Sequence, residues 1–243
     1  MSQQKNRFSR RTFLKGTAGI GGGIAMASFT SMFGLKDALA AGSFDNQDSV
    51  ETMANLAATA ETLAATSYYY TILNNPLGFS DAAISYLKLA MSSELYHLKV
   101  LQSLGGKSLA QQFYTPANFL SDLAVNTATF TTAETAFTGA YLAATRRFAE
   151  LGQPRLAATT AQHAATEAEH LALQRLIGGQ VPNPNALPAP IFYNVSDAIP
   201  VLAPFLQGGS GFVGPVPFPG EDAITALAGD MKAFPTPVFL KVF

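Results

Sequence analysis

Cysteine is absent from all 243 residues, which excludes disulfides, thiolate zinc sites, iron–sulfur clusters and a catalytic thiol together. Any metal this chain binds must be held by oxygen and nitrogen. Tryptophan is absent too, and histidine is scarce, at three residues. Charge is sparse: 13% of residues are charged and the formal net charge is -1. There is therefore no basic stripe to attract phosphate backbones and no acidic tail, and nucleic acid is not expected as a partner. What the chain has in quantity is apolar residues, 48% of the total. That is enough to bury the core of one domain of ordinary size. Alanine is abundant between residues 54 and 172, as expected of closely packed helices, so the predicted class is all-α.

The first forty residues are read as a leader. Ser9, Arg10, Arg11, Thr12, Phe13, Leu14 and Lys15 resemble a twin-arginine export motif, followed by a glycine-rich apolar run from Gly16 to about Phe33. Ala38, Leu39 and Ala40 offer the small-x-small pattern that a signal peptidase cuts. Residues 1–40 are accordingly expected to be removed, leaving a mature chain that starts at Ala41. An uncleaved membrane anchor is the other reading, but glycines interrupt the run and it falls short of a comfortable bilayer span. The implied partner is the twin-arginine export machinery, which carries folded proteins. The implied location is beyond the cytoplasmic membrane, in the periplasm, the cell envelope or the medium.

Residues 41–179 read as a helical domain. Apolar and small residues recur at helical period from about Gln47 to Asn74, where Asn74, Asn75, Pro76, Leu77 and Gly78 make a turn. Ser80 is placed to cap a second helix that runs to about Leu104 and stops at Gly105 and Gly106. A connection through Phe113, Tyr114 and Pro116 leads into a third helix, whose start falls anywhere from Ala117 to Thr132 and whose end lies near Leu151 and Gly152. Pro154 opens the fourth, closed by Gly178 and Gly179. Residues 180–243 differ in character, with prolines interleaved with Phe192, Phe205, Phe212, Phe218, Phe234, Phe239 and Phe243. No long helix survives such punctuation. Short helices are predicted near 196–206 and 221–231, in an otherwise irregular extension that packs on the helices or on a partner subunit.

Six side chains carry the chemistry. The second helix holds Glu94 and His97, and the fourth holds Glu167 and His170, each pair three residues apart and so on one helix face. Glu61 and Glu134 lie mid-stretch in the first and third helices among apolar neighbours. The spacing repeats: Glu61 to Glu134, Glu94 to Glu167 and His97 to His170 are all offsets of 73 residues, and Tyr68 to Tyr141 is the same. Two helical hairpins of similar design are implied. Four carboxylates in a core would repel one another or protonate, whereas two divalent cations would balance them. A mixed Glu and His set favours iron, with manganese as the alternative, over magnesium or calcium.

A Glu on each of two helices and a Glu-x-x-His on each of the other two resembles the ferritin-like di-iron carboxylate proteins. The match covers roughly residues 47–178, and an exported chain with a proline-rich tail is similar to the branch that includes desiccation-related proteins. The resemblance implies a ferritin-like four-helix bundle with Glu61, Glu94, His97, Glu134, Glu167 and His170 as metal ligands. It also implies two iron ions as cofactor and dioxygen or peroxide as co-reactant.

Bland readings stand beside these. Glu61 is read alternatively as a surface residue, and Glu134 as the partner of Thr131 in a capping box if the third helix starts there. Glu169 is expected to face solvent. His163, one turn before Glu167, is read as a hydrogen-bonded wall residue, an additional ligand, or a group supporting the ligands. Tyr68 and Tyr141 are read as donors to the ligands, as electron-transfer groups, or as core filler. The function expected is oxidation of ferrous iron or reduction of oxygen or peroxide, in iron handling or oxidative-stress defence. Manganese catalase activity, a non-enzymatic desiccation-protective protein with a structural metal, and a storage shell are the alternatives. A rubrerythrin-type peroxidase is disfavoured, because its cysteine-ligated iron module cannot exist here. Homo-oligomerisation is left open.

Overall fold

The computed structural model describes residues 47–239, so the leader motif and its cleavage pattern lie outside the described residues. Four long helices dominate: α1 (Val50–Ile72), α2 (Asp81–Ser103), α3 (Leu123–Glu150) and α4 (Pro154–Ile177). Local chemistry explains their starts. The Ser49 hydroxyl accepts from the Thr52 N–H at 3.0 Å, and Ser80 caps α2 through the Ala83 N–H. Asp122 accepts from the N–H groups of Ala124 and Val125 and thereby starts α3 well before Thr131. Pro154 supplies the first residue of α4, where a missing N–H costs nothing. The α1–α2 turn places Asn74, Asn75 and Gly78 at positive φ, the conformation that asparagine and glycine tolerate best.

Helix α1 packs on α2 and α3 on α4, and further contacts join α1 to α3 and α2 to α4. The buried faces are rich in small residues, among them Ala58, Ala60, Ala64, Ala65, Ala136 and Ala143. Three of the interleaved threonines pair their buried hydroxyls within their own helix: Thr62, Thr66 and Thr138 each donate to the carbonyl four residues earlier at 2.6 to 2.8 Å. Small side chains leave room at the centre for the charged ones described below.

The strand β1 (Gln112–Pro116) lies between α2 and α3, where the sequence reading saw only a connection. Its partner, the antiparallel β2 (Phe212–Pro217), lies in the C-terminal extension. That extension also contains a 3-10 turn (Val195–Ala198), α5 (Ile199–Gln207) and α6 (Glu221–Ala228), close to the two predicted short helices. Phe192, Val195, Ala198 and Val201 join a core with Met53 and Phe148, and Leu202 and Phe205 join one with Leu63, Phe113 and Phe137. Ile224 and Ala228 of α6 pack with Leu87 and Met91 of α2. Among the described residues, no helix is long and apolar enough to cross a membrane.

Candidate metal centre

Each of the four long helices sends one glutamate to the centre. Glu61 from α1, Glu94 from α2, Glu134 from α3 and Glu167 from α4 are each 0% exposed, and His97 and His170 are buried beside them. The surface reading of Glu61 and the capping reading of Glu134 are therefore both overturned, the latter because α3 begins at Leu123. Glu169 is exposed, as its direction on α4 requires.

The six ligand-type side chains form two sets that share two members. One comprises Glu61, Glu94, His97 and Glu167, the other Glu94, Glu134, Glu167 and His170, and within each set the donor atoms lie within 4.8 Å of one another. Glu94 and Glu167 turn one oxygen to each side. Glu94 Oε2 is 3.2 Å from His97 Nδ1 while Oε1 is 2.8 Å from His170 Nδ1. Glu167 Oε1 is 3.0 Å from His97 Nδ1 while Oε2 is 3.2 Å from His170 Nδ1. Glu61 belongs to the His97 side only, with Oε2 at 3.5 Å from His97 Nδ1.

Of these contacts, the one between His170 and Glu167 also has the alignment of a hydrogen bond. Glu61 Oε2, both oxygens of Glu94, Glu134 Oε2, Glu167 Oε1 and His97 Nδ1 are buried with no hydrogen-bond partner. A buried carboxylate oxygen without a donor is costly, so convergence of so many is what a cation-binding cluster requires. Each of the two sets could hold a metal ion.

Without metal, protons and charges arrange themselves unevenly. Burial raises the Glu61 carboxyl well above its usual range, helped by the charges of Glu167 and Glu94 and opposed by His97. Burial does the same to Glu134, with Glu94 and Glu167 adding and His170 opposing. For Glu94, burial is outweighed by His170 and His97, which hold it well below the ordinary carboxylate value. Glu167 is lowered too, because His97 and His170 outweigh burial and the charge of Glu94. Both histidines are raised: burial acts against their charge, but Glu61 and Glu167 prevail at His97, and Glu94 and Glu167 at His170. Proton affinity is thus raised at Glu61, Glu134, His97 and His170 and lowered at the shared Glu94 and Glu167.

A second layer holds the unshared glutamates in place across the halves. The Tyr68 hydroxyl of α1 donates to Glu134 Oε1 of α3 at 2.6 Å, and the Tyr141 hydroxyl of α3 donates to Glu61 Oε1 of α1. Burial and the adjacent glutamates raise both tyrosine pKa values, so both stay donors. Gln174 supports Tyr68, its amide donating to the hydroxyl at 3.2 Å. Sequence reasoning missed Gln174, although its place one turn beyond His170 on the same helix was a usable signal. His163 is outside both ligand sets. Its Nδ1 pairs with the Thr159 carbonyl at 2.8 Å, its Nε2 has no partner, and its ring lies 4.6 Å from that of His97. Burial, aided by His97, lowers its pKa to about 4, so its ring is neutral.

Comparison with known proteins finds no matching family model, no similar curated protein and no similar solved structure. What the structure shows is a mostly helical protein with a buried Glu and His cluster that could bind metal, compatible with a ferritin-like fold.

Proposed function

We propose that this protein is an exported ferritin-like four-helix bundle that holds two metal ions, iron before manganese, and turns over oxygen or peroxide with them. The observation that carries the reading is the pair of interlocked ligand sets sharing Glu94 and Glu167. Glu61 and His97 would complete one ion's ligands, and Glu134 and His170 the other's. Bound iron would supply one-electron redox capacity and open coordination positions for a small oxidant.

The chain's own residues do the rest. Glu94 and Glu167 each present an oxygen to both sides, so the two ions would be held as a unit. Tyr141 and Tyr68 fix the carboxylates of Glu61 and Glu134 and keep a proton available beside each. The apolar helix faces around the cluster keep bulk water out, which strengthens every charge interaction within. Export by the twin-arginine route belongs to the same proposal, and the motif from Ser9 to Lys15 supports it.

Metal analysis tests the reading. Protein produced with iron and manganese supplied is expected to carry two ions per chain, and to consume oxygen when ferrous iron is added. Stoichiometric absence of both metals would sink it. Manganese in the same ligands would instead show as peroxide disproportionation without added reductant. Changing Arg10 and Arg11 to Lys should leave the chain inside the cell, as cell fractionation would reveal.

A further inference from the structure

The two halves of the repeat are not equal around their tyrosines. On one side Phe130 stacks on Tyr68 with ring centroids 4.3 Å apart, and Gln174 bonds to its hydroxyl. The positions that correspond at the same offset of 73 residues are Ala57 and Leu101. Both line a cavity of about 130 Å³ that ends at Tyr141 and His163. The void lies where the other half carries a phenylalanine ring.

Its lining is almost entirely apolar. Val50 and Leu104 line it and are partly exposed at 38% and 40%, whereas Tyr141, Thr159 and His163 at the other end are buried. It therefore runs from the surface toward the Glu61 and His97 side of the cluster. Two of the lining residues carry a buried polar atom without a partner, Thr159 at Oγ1 and His163 at Nε2. Since Nδ1 of His163 faces a carbonyl and so carries the ring proton, Nε2 is left as a bare acceptor. At the repeat-related position of the other half stands Ala90, which offers no such atom.

We infer that this cavity is a binding site for a small neutral molecule with an apolar body and one hydroxyl-type head, the head donating to His163 and accepting from Thr159. Size supports the class, because an apolar cavity of roughly 150 Å³ accepts benzene. An anion or a sugar would leave its polar groups unmatched against this lining. That the occupant is a substrate or co-substrate of the metal centre rests on the function proposed above; that it binds does not.

Binding to the chelator-treated protein separates the two. Calorimetry with phenol and with benzene as probes is expected to show both binding, phenol about tenfold more tightly, the worth of one good hydrogen bond to a buried acceptor. Ala57→Phe restores the ring found in the other half and should abolish binding of both probes while iron loading is retained. His163→Phe should leave benzene bound and erase the preference for phenol. No binding of either probe to the wild-type chain, or undiminished binding to a folded Ala57→Phe variant, would overturn the site. Should Ala57→Phe not fold, the His163→Phe comparison decides, and an unchanged phenol preference there counts against the site as described. A chain that binds phenol but no metal would leave the cavity standing and remove the metal reading.

Discussion

Tyr68 and Tyr141 each hold a glutamate that belongs to the opposite half of the repeat. Tyr68→Phe leaves Glu134 Oε1 without its donor in a fully buried setting. The cost expected is about 1–3 kcal/mol, read from denaturant unfolding of metal-free protein. Tyr86→Phe, at a residue 52% exposed, should stay within about 0.5 kcal/mol. Charge at the core also sets a pH dependence. His97 and His170 have raised pKa values, so the stability they contribute is complete below the ordinary histidine value of 6.5 and is lost as pH rises through the raised values. Glu61 and Glu134, also raised, act in the same sense: their contribution is complete below 4.5 and lost as pH rises. Glu94 and Glu167 act oppositely, losing their contribution as pH falls through their lowered values. Metal-free protein should therefore lose thermal stability as pH rises above 6.5, and metal-loaded protein should not. A flat or rising melting temperature for the metal-free form above that pH would contradict these shifts.

At the level of elements, α2 and α4 supply the shared carboxylates whereas α1 and α3 supply the unshared ones. Removing a shared ligand should therefore strip both ions, and removing an unshared one should strip chiefly one. Glu94→Ala or Glu167→Ala is expected to leave almost no bound metal, and Glu61→Ala or Glu134→Ala about one ion per chain, measured by elemental analysis. Much of this layout was legible in the sequence, because Glu-x-x-His at helical spacing and an offset of 73 residues need no tertiary knowledge. The start of α3 was not. Asp122 caps it, but Thr131 offered an equally good local pattern nine residues later, and only packing chooses between them. The division into shared and unshared glutamates was also hidden, since it depends on how far each helix stands from its neighbours. Strand β1 escaped notice for a different reason: its partner β2 lies about a hundred residues further on, and a short segment ending in Pro116 carries no pattern of its own.

For the molecule as a whole, the extension is part of the fold rather than an appendage. Its 3-10 turn and α5 pack against α1 and α3, and Val195, Ala198 and Leu202 form one wall of the cavity. A chain ending at Gly179 keeps all six ligand-type residues but exposes Met53, Leu63, Phe137 and Phe148, which now contact the extension. Such a chain should bind hydrophobic dyes and unfold at a clearly lower temperature than the full-length protein. An unchanged melting temperature would show that the four long helices stand alone.

The raised proton affinities in the core reach further than stability. Proton affinity is raised at Glu61, Glu134, His97 and His170, so dications entering the core compete with protons for those groups. Loading is then an exchange, ions in and hydrogen ions out. Acidification alone should then be enough to release the ions again.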